Sequence, residues 1–295
     1  MATGPRAKHP AKKARKGPGK YGRPVVIKLG GELLEEPRRL RRIARALVRI
    51  PASARLVVVH GGGREVDTEM ARAGIPKRAI DGLRITDAFT LDVILGVLAG
   101  RVNTRLVAAI GAAGRSAVGL TGADAGITRV RRARRYRATD GSRVDLGFVG
   151  LPAGNRPPRF IANLCRSGHI PVVASIGSDA AGRLYNVNAD TMAGDLAERL
   201  GAQRLIMAGT TGGVLDEANR TISEVDNKAL IQLIREGQVS VGMIAKLLAC
   251  RAASQGGVDY VEIVDGRRNS AFDLSRYGGK DTTIITGGHA RGDRD

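Results

Sequence analysis

Two apolar runs end in glycine clusters: Val25-Val26-Ile27-Lys28-Leu29-Gly30-Gly31 and Leu56-Val57-Val58-Val59-His60-Gly61-Gly62-Gly63. Glycine lets backbone N–H groups approach a ligand without a Cβ in the way, and a helix that follows aims its positive end at the same point. Such strand tips suit anionic oxygens, and Lys28 adds an ammonium to the first. One cluster alone reads equally well as a tight turn. Two in succession, one carrying a lysine, favour phosphate chemistry. No G-x-x-x-x-G-K-[ST] string occurs and no G-x-G-x-x-G follows a strand. The site is therefore neither a P-loop nor a dinucleotide fingerprint.

The elements that must position these tips alternate along the chain. Leu40, Ile43, Leu47 and Ile50 repeat at helical spacing behind the first tip, and the strand Leu56 to Val59 follows, making a β-α-β unit. A helix is expected from Val66 to Ala73 and a long one from Phe89 to Ile110, interrupted near Gly100. Strands are expected at 117–120, 170–176, 204–208, 260–264 and 283–285, and helices at 161–165, 189–200, 230–234 and 243–253. Between Ile127 and Val149 the pattern is short and polar, with Asp140-Gly141 as a hairpin turn. This alternation predicts an α/β fold: a mostly parallel central sheet with helices on both faces, binding ligands at strand C-terminal ends.

The chain has 295 residues, 43% of them hydrophobic, enough for one large domain or two lobes in contact. No run reaches the roughly 18 uncharged apolar residues of a membrane span; even Ala88 to Val102 contains Asp92 and Arg101. The first 23 residues lack an apolar signal region, so a cytoplasmic protein that is neither secreted nor membrane-bound is expected. Cys165 and Cys250 are far apart and read as interior thiols. His9, His60, His169 and His289 lack metal-ligand spacing, and no protein metal ligand is assigned.

Of the net charge of +20, +8 lies in residues 1–23 and +12 in the rest. The tail, holding prolines and glycines among its lysines, is expected to be disordered. A solvated tail is the plainer reading; the other is weak contact with nucleic acid or another polyanion. A second basic cluster, Arg129, Arg131, Arg132, Arg134, Arg135 and Arg137, reads as an exposed hairpin. Aromatic residues make up 3% of the chain, too few for a base-stacking surface.

From Val25 to the C-terminus, the order of motifs resembles the amino-acid kinase family, in particular its N-acetylglutamate kinases. The resemblance rests on Lys28-Leu29-Gly30-Gly31, His60-Gly61-Gly62-Gly63, Gly82-Leu83-Arg84-Ile85-Thr86, Asp145-Leu146-Gly147-Phe148-Val149-Gly150, Asn186-Val187-Asn188-Ala189-Asp190 and Gly242-Met243-Ile244-Ala245-Lys246. It implies ATP-dependent phosphorylation of the side-chain carboxylate of N-acetyl-L-glutamate in arginine biosynthesis, with ATP and Mg2+. Lys28 would stabilise the transferring phosphoryl group, Lys246 would contact the ATP phosphates, and Asp190 would orient both ammonium groups. Gly62, Gly63, Arg84 and Asn186 would receive the acceptor. The ATP side would comprise Lys28, Gly30, Gly31, Thr210, Gly213 and Lys246. An αβα sandwich is implied, with an acceptor-binding and dimerising lobe at 24–198 and an ATP-binding lobe at 199–295.

The chain departs from the family pattern in places. Ala208-Gly209-Thr210 puts a threonine where the family carries an acid, Val241 replaces a common glycine, and Asp281-Thr282 replaces Gly-Thr. Arginine-inhibited members build hexamers on an N-terminal helix, which residues 1–23 are too rich in proline, glycine and lysine to form. A homodimer insensitive to arginine is expected. Two alternatives stay open: a kinase for glutamate or aminoadipate linked to an acidic carrier protein, which a strongly basic chain would attract, and an inactive kinase scaffold acting as a polyanion- or nucleic-acid-binding regulator.

Overall fold

The computed structural model describes residues 15–16, 22–81, 83–134, 136–138, 141–279 and 281–287. Strand Val25–Leu29 (β1) leads to helix Pro37–Val48 (α1), strand Leu56–His60 (β2) and helix Gly63–Arg72 (α2). Helix Ala88–Ala112 (α3) is followed by strands Ala117–Thr121 (β3), Val130–Arg132 (β4) and Val149–Pro152 (β5). Helix Arg159–Arg166 (α4) precedes strands Ile170–Ala174 (β6), Ile176–Ser178 (β7) and Leu184–Val187 (β8). Helix Ala189–Arg199 (α5) and strands Arg204–Gly209 (β9) and Glu224–Asp226 (β10) come next. Helices Asn227–Arg235 (α6) and Val241–Gln255 (α7) then precede strands Tyr260–Asp265 (β11) and Thr282–Thr286 (β12).

Eight strands form one sheet in the order β10-β12-β11-β9-β1-β2-β6-β3. Every neighbouring pair is parallel except β11 with β12. Side chains alternate between its two faces, as the pleat requires. Ile27, Leu29, Val58 and Ile206 pack with α1, α2 and α3; Val26, Val57, Val59, Leu205 and Met207 pack with α4, α5 and α7. Helices thus cover both faces, as expected from the sequence. The boundary expected between residues 198 and 199 lies beside a continuous sheet, because β1 pairs with β9 along its whole length.

Several details differ from the sequence reading. Helix α3 is not interrupted at Gly100; it widens into a π-helical stretch, Gly96–Val102, and continues. Although α3 is long and apolar enough to cross a bilayer, Ile94, Leu98, Val102, Leu106 and Ile110 lie in the core beneath the sheet. A second sheet, ordered β7-β8-β5-β4, was not anticipated. Its edge strand β4 takes in Arg131 and Arg132, while Arg137 belongs to a two-residue hairpin ladder; of the expected Asp140-Gly141 turn, Gly141 has φ +85 and its N–H donates to the Ala138 carbonyl at 2.9 Å, and Asp140 lies outside the described residues.

Arg23, assigned to the tail, belongs to the fold: its guanidinium donates to the carbonyls of Gly201 (2.7 Å), Ala202 (3.1 Å) and Gly257 (3.0 Å) and pairs with Asp259. Arg15–Lys16 forms a two-residue antiparallel ladder with Arg276–Tyr277. The remainder of the expected disordered tail, residues 1–14 and 17–21, lies outside the described residues. Both cysteines are buried and free, and burial raises their thiols to about 11 (Cys165) and about 12 (Cys250), in keeping with inert interior groups.

One buried ion pair braces the sheet. Arg204 donates to Glu262 from Nε at 2.8 Å and also from Nη2, while its other N–H groups reach the carbonyls of Leu274 (3.1 Å) and Arg276 (2.5 Å). Glu262 in turn accepts from the Gly278 N–H at 3.2 Å. Removing one partner leaves a buried charge alone. Glu262→Ala should therefore lower the unfolding free energy by about 3–5 kcal/mol in a urea titration; a loss below about 1 kcal/mol, the range of an exposed pair, would contradict this account.

Candidate active site

The alternation of β1 sends Lys28 to the same face as Val26, toward α5 and α7. Helix α5 starts at a defined point because the Asn188 side chain accepts from the N–H groups of Asp190 (2.9 Å) and Thr191 (3.0 Å), an N-cap that faces the Asp190 carboxylate inward. On α7, Lys246, Ala249, Cys250 and Ala253 share the buried face. The two helices approach closely at Gly194, where a methyl group would stand 2.9 Å from the Ala249 carbonyl oxygen. One turn before that contact, Asp190 meets Lys246.

The result is a three-charge cluster centred on one oxygen. Asp190 Oδ1 lies 3.0 Å from Lys28 Nζ and 2.9 Å from Lys246 Nζ, and all three side chains are buried. Burial pushes the Asp190 carboxyl up, but the two ammonium groups outweigh it and hold the group at about 2. Burial lowers Lys28 against the opposing pull of Asp190, with Lys246 adding to the decrease. For Lys246 the same burial is overridden by Asp190, and its affinity for the proton rises. The two lysines are therefore electrostatically distinct although they share a counter-ion.

A cleft of about 260 Å³ opens beside this cluster, lined by Lys28, Gly31, Gly62, Gly63, Arg84, Asn186 and Asp190 among others. The two glycine tips touch: a methyl group on Gly31 would fall 2.6 Å from the Gly62 Cα, and one on Gly62 would fall 2.8 Å from Leu98. Beneath the second tip, His60 is buried and neutral, its proton affinity lowered by burial to about 4. Its Nδ1 lies 3.0 Å from the Gly61 carbonyl and its Nε2 3.0 Å from Asn103 Nδ2. Asn103 also reaches the carbonyls of Val172 and Leu120, so the residue following the π-helical stretch ties β2 to β6 and β3.

At the other end of the cleft, three sequence motifs are joined. The Thr86 N–H donates to Leu146 and the Phe148 N–H to Thr86, with Gly147 at φ +72 where the Thr86 carbonyl leaves no room for a Cβ. The Asn186 N–H then donates to Phe148, and its side-chain amide lies 3.3 Å from Thr86 Oγ1. Arg84 lines the same cleft and pairs with Asp67, which is also held by Lys77 at 2.8 Å. Gly82 lies outside the described residues.

Thr210 and Gly213 follow β9 and do not line this cleft. The Thr210 carbonyl accepts from Arg267, and Gly213 has φ +104 beside Thr283. Two acids were missed in the sequence, one that pairs with the cleft residue Arg84 and one that lines the cleft itself. Asp67 has no signal there, because its partner lies 17 residues away across a helix and a turn. Glu32, next to the first glycine tip, lines the cleft and raises the proton affinity of both lysines.

Two ammonium groups and two glycine tips that a Cβ would obstruct suit the oxygens of a polyphosphate. Among the described residues there is no cluster of three or more His, Cys, Asp or Glu able to hold a metal.

The folded-state carboxyl of Asp190, near 2, lies below its ordinary 3.8, so its ion pairs stabilise fully above about pH 4 and fade as the pH falls through 2. Asp190→Asn should destabilise the protein at pH 6, and its deficit in unfolding free energy should narrow progressively between pH 4 and pH 2. An unchanged deficit over that range would show that the carboxylate's charge is not what stabilises the cluster.

The pattern of the amino acid kinase family matches residues 23–265. The acetylglutamate kinase of Sphingopyxis alaskensis is 39% identical over 251 residues, covering 83% of each chain. The chloroplastic acetylglutamate kinase of Arabidopsis thaliana is 38% identical over 255 residues, 85% of this chain and 71% of its own. Among solved structures, an N-acetylglutamate synthase from Neisseria gonorrhoeae complexed with coenzyme A and N-acetyl-glutamate superposes with a TM-score of 0.76 at 22% identity. That alignment covers 90% of this chain and 60% of the synthase. Carbamate kinase from Giardia lamblia bound to AMP-PNP gives 0.61 at 16% identity, covering 90% and 99%. At these identities the structural likenesses establish the fold. With the family pattern spanning most of its length and enzymes of that family near 40% identity over more than four-fifths of it, this chain belongs to the amino acid kinase family.

Proposed function

We propose that the chain is a cytoplasmic enzyme that transfers the γ-phosphoryl group of ATP to the side-chain carboxylate of N-acetyl-L-glutamate, giving N-acetyl-L-glutamyl 5-phosphate and ADP in arginine biosynthesis. The observation that carries the reading is Asp190 Oδ1 bridging Lys28 and Lys246 beside a glycine-lined cleft that ends at Arg84 and Asn186. The names of the similar proteins support the choice of acceptor.

The acceptor needs no strong base, because a glutamate side chain titrates near ~4.3 and is already ionised at neutral pH. Catalysis then consists of alignment and charge compensation. Arg84 and Asn186 hold the α-carboxylate end, and the Gly62 and Gly63 backbone receives the rest. A carboxylate oxygen forms the new bond to phosphorus as the bond from the γ-phosphorus to the bridging oxygen breaks. Lys28 and the Gly31 amide meet the transferring group, and Lys246 meets the phosphates that leave as ADP. Magnesium, when bound, offsets charge on the β- and γ-phosphates. Asp190 transfers no proton; it keeps the two ammonium groups in place.

Lys28→Ala or Lys246→Ala should lower kcat on the order of 10²–10³-fold, as for loss of one preorganised charge; a near-normal rate in either variant would refute the assigned role. An acceptor screen with MgATP and coupled ADP detection should show turnover with free N-acetylglutamate. Turnover confined to carrier-linked glutamate or aminoadipate would move the assignment to that acceptor, and no turnover beside steeply salt-dependent DNA binding would favour the regulator. The same preparation should scatter light as a dimer and keep its activity in millimolar arginine. A hexamer, or inhibition by arginine, would overturn that part of the proposal.

A further inference from the structure

The Glu32 carboxylate acts on Lys28 and Lys246 only at longer range. Glu32 occupies the second position of the short turn Gly31–Leu33 that follows the β1 tip, and lines the cleft together with Lys28, Gly61, Gly62 and Asp190. Its carboxylate folds back over Gly30, where any Cβ would collide with it, and an Oε1 atom lies 3.6 Å from the Cβ position of Gly209. It therefore stands between the C-terminal ends of β1 and β9. Among the described residues its carboxylate makes no hydrogen bond or ion pair at the distances of those found elsewhere, although Arg39 is close enough to donate to its backbone carbonyl at 2.7 Å and pairs instead with Glu36 at 3.4 Å. In a chain of net charge +20, this acid is turned toward the site rather than toward the neighbouring guanidinium.

A carboxylate held there opposes the binding of bare phosphates. Two unit charges about 4 Å apart interact by about 4 kcal/mol at the effective dielectric of a protein surface. A divalent cation between them reverses the sign, and magnesium is commonly held by one or two carboxylates together with substrate phosphates. Asp190 is poorly suited to that task, since both lysines occupy the oxygen it presents. Resting on the kinase reading above, we infer that Glu32 supplies the protein's carboxylate to the cation that accompanies the nucleotide's β- and γ-phosphates. It would thereby make this enzyme select metal-complexed over metal-free nucleotide.

The test is calorimetric binding of AMP-PNP, which is not turned over, to the full chain and to Glu32→Gln, each with excess Mg2+ and each with a chelator. The native protein should prefer the magnesium complex strongly. In Glu32→Gln the magnesium complex should bind about 10-fold or more weakly, the scale of losses from disturbing metal coordination, while metal-free AMP-PNP should bind at least as tightly as to the native chain. With Mn2+ in place of Mg2+, water-proton relaxation should show an additional bound water in the variant ternary complex. Should Glu32→Gln fail to fold, relaxation of the native ternary complex against free Mn–AMP-PNP decides: loss of a water to the protein supports the assignment, and an unchanged hydration number overturns it. If both proteins bind AMP-PNP with the same metal dependence, the Glu32 assignment falls and the kinase reading stands; if neither binds it, both fall.

Discussion

One carboxylate oxygen accepts two buried ammonium groups, and the architecture of the cleft depends on that contact. Asp190 Oδ1 draws Lys28 and Lys246 to within 3.0 Å and 2.9 Å of itself, from a central strand and from a helix more than two hundred residues later. Without it the lysines would repel each other in a medium that screens poorly. The trio still carries one net positive charge, and burial makes that excess costly in the absence of an anion. A polyphosphate is the kind of ligand that relieves it. The same arrangement explains why the helices close at Gly194, since a larger residue there would separate Asp190 from Lys246.

The sheet provides the second constraint. Its alternation sorts side chains between two helical layers and gives Lys28 the face that α5 and α7 cover. Parallel pairing brings the ends of β1, β2 and β9 to one edge, so that the two glycine tips and the turn after β9 become neighbours. The small sheet then brings Asn186 beside Val149 in register, and the Thr86 to Gly147 bridge aligns Arg84 with both. Residues separated by a hundred positions become one wall of a cleft, chiefly through backbone hydrogen bonds.

Much of this was legible in the sequence because it rests on periodicity and on glycine. Leu40, Ile43 and Leu47 announce their helix, and the two glycine clusters announce their strand tips. What stayed hidden depends on contacts distant in the chain or on residue types that mislead. Arg23 closes a basic run and so looked like tail, yet it satisfies three carbonyls. The strands of the small sheet are only three or four residues long, so their pleat leaves little pattern. The Asp67 pairing with Arg84 and the inward turn of Glu32 require knowledge of which way a side chain folds, and neither propensity nor spacing carries that.

The placement of β1 has a mechanical corollary. Parallel neighbours pair with it on both edges over all five residues, so the Lys28 ammonium springs from a strand held on either side by backbone hydrogen bonds. Lys246 rides on a helix whose first turn, Val241 to Met243, is partly open to solvent. The two ammonium groups that share one carboxylate oxygen are thus mounted unequally, one on a strand braced along both edges and the other on a helix whose start meets solvent.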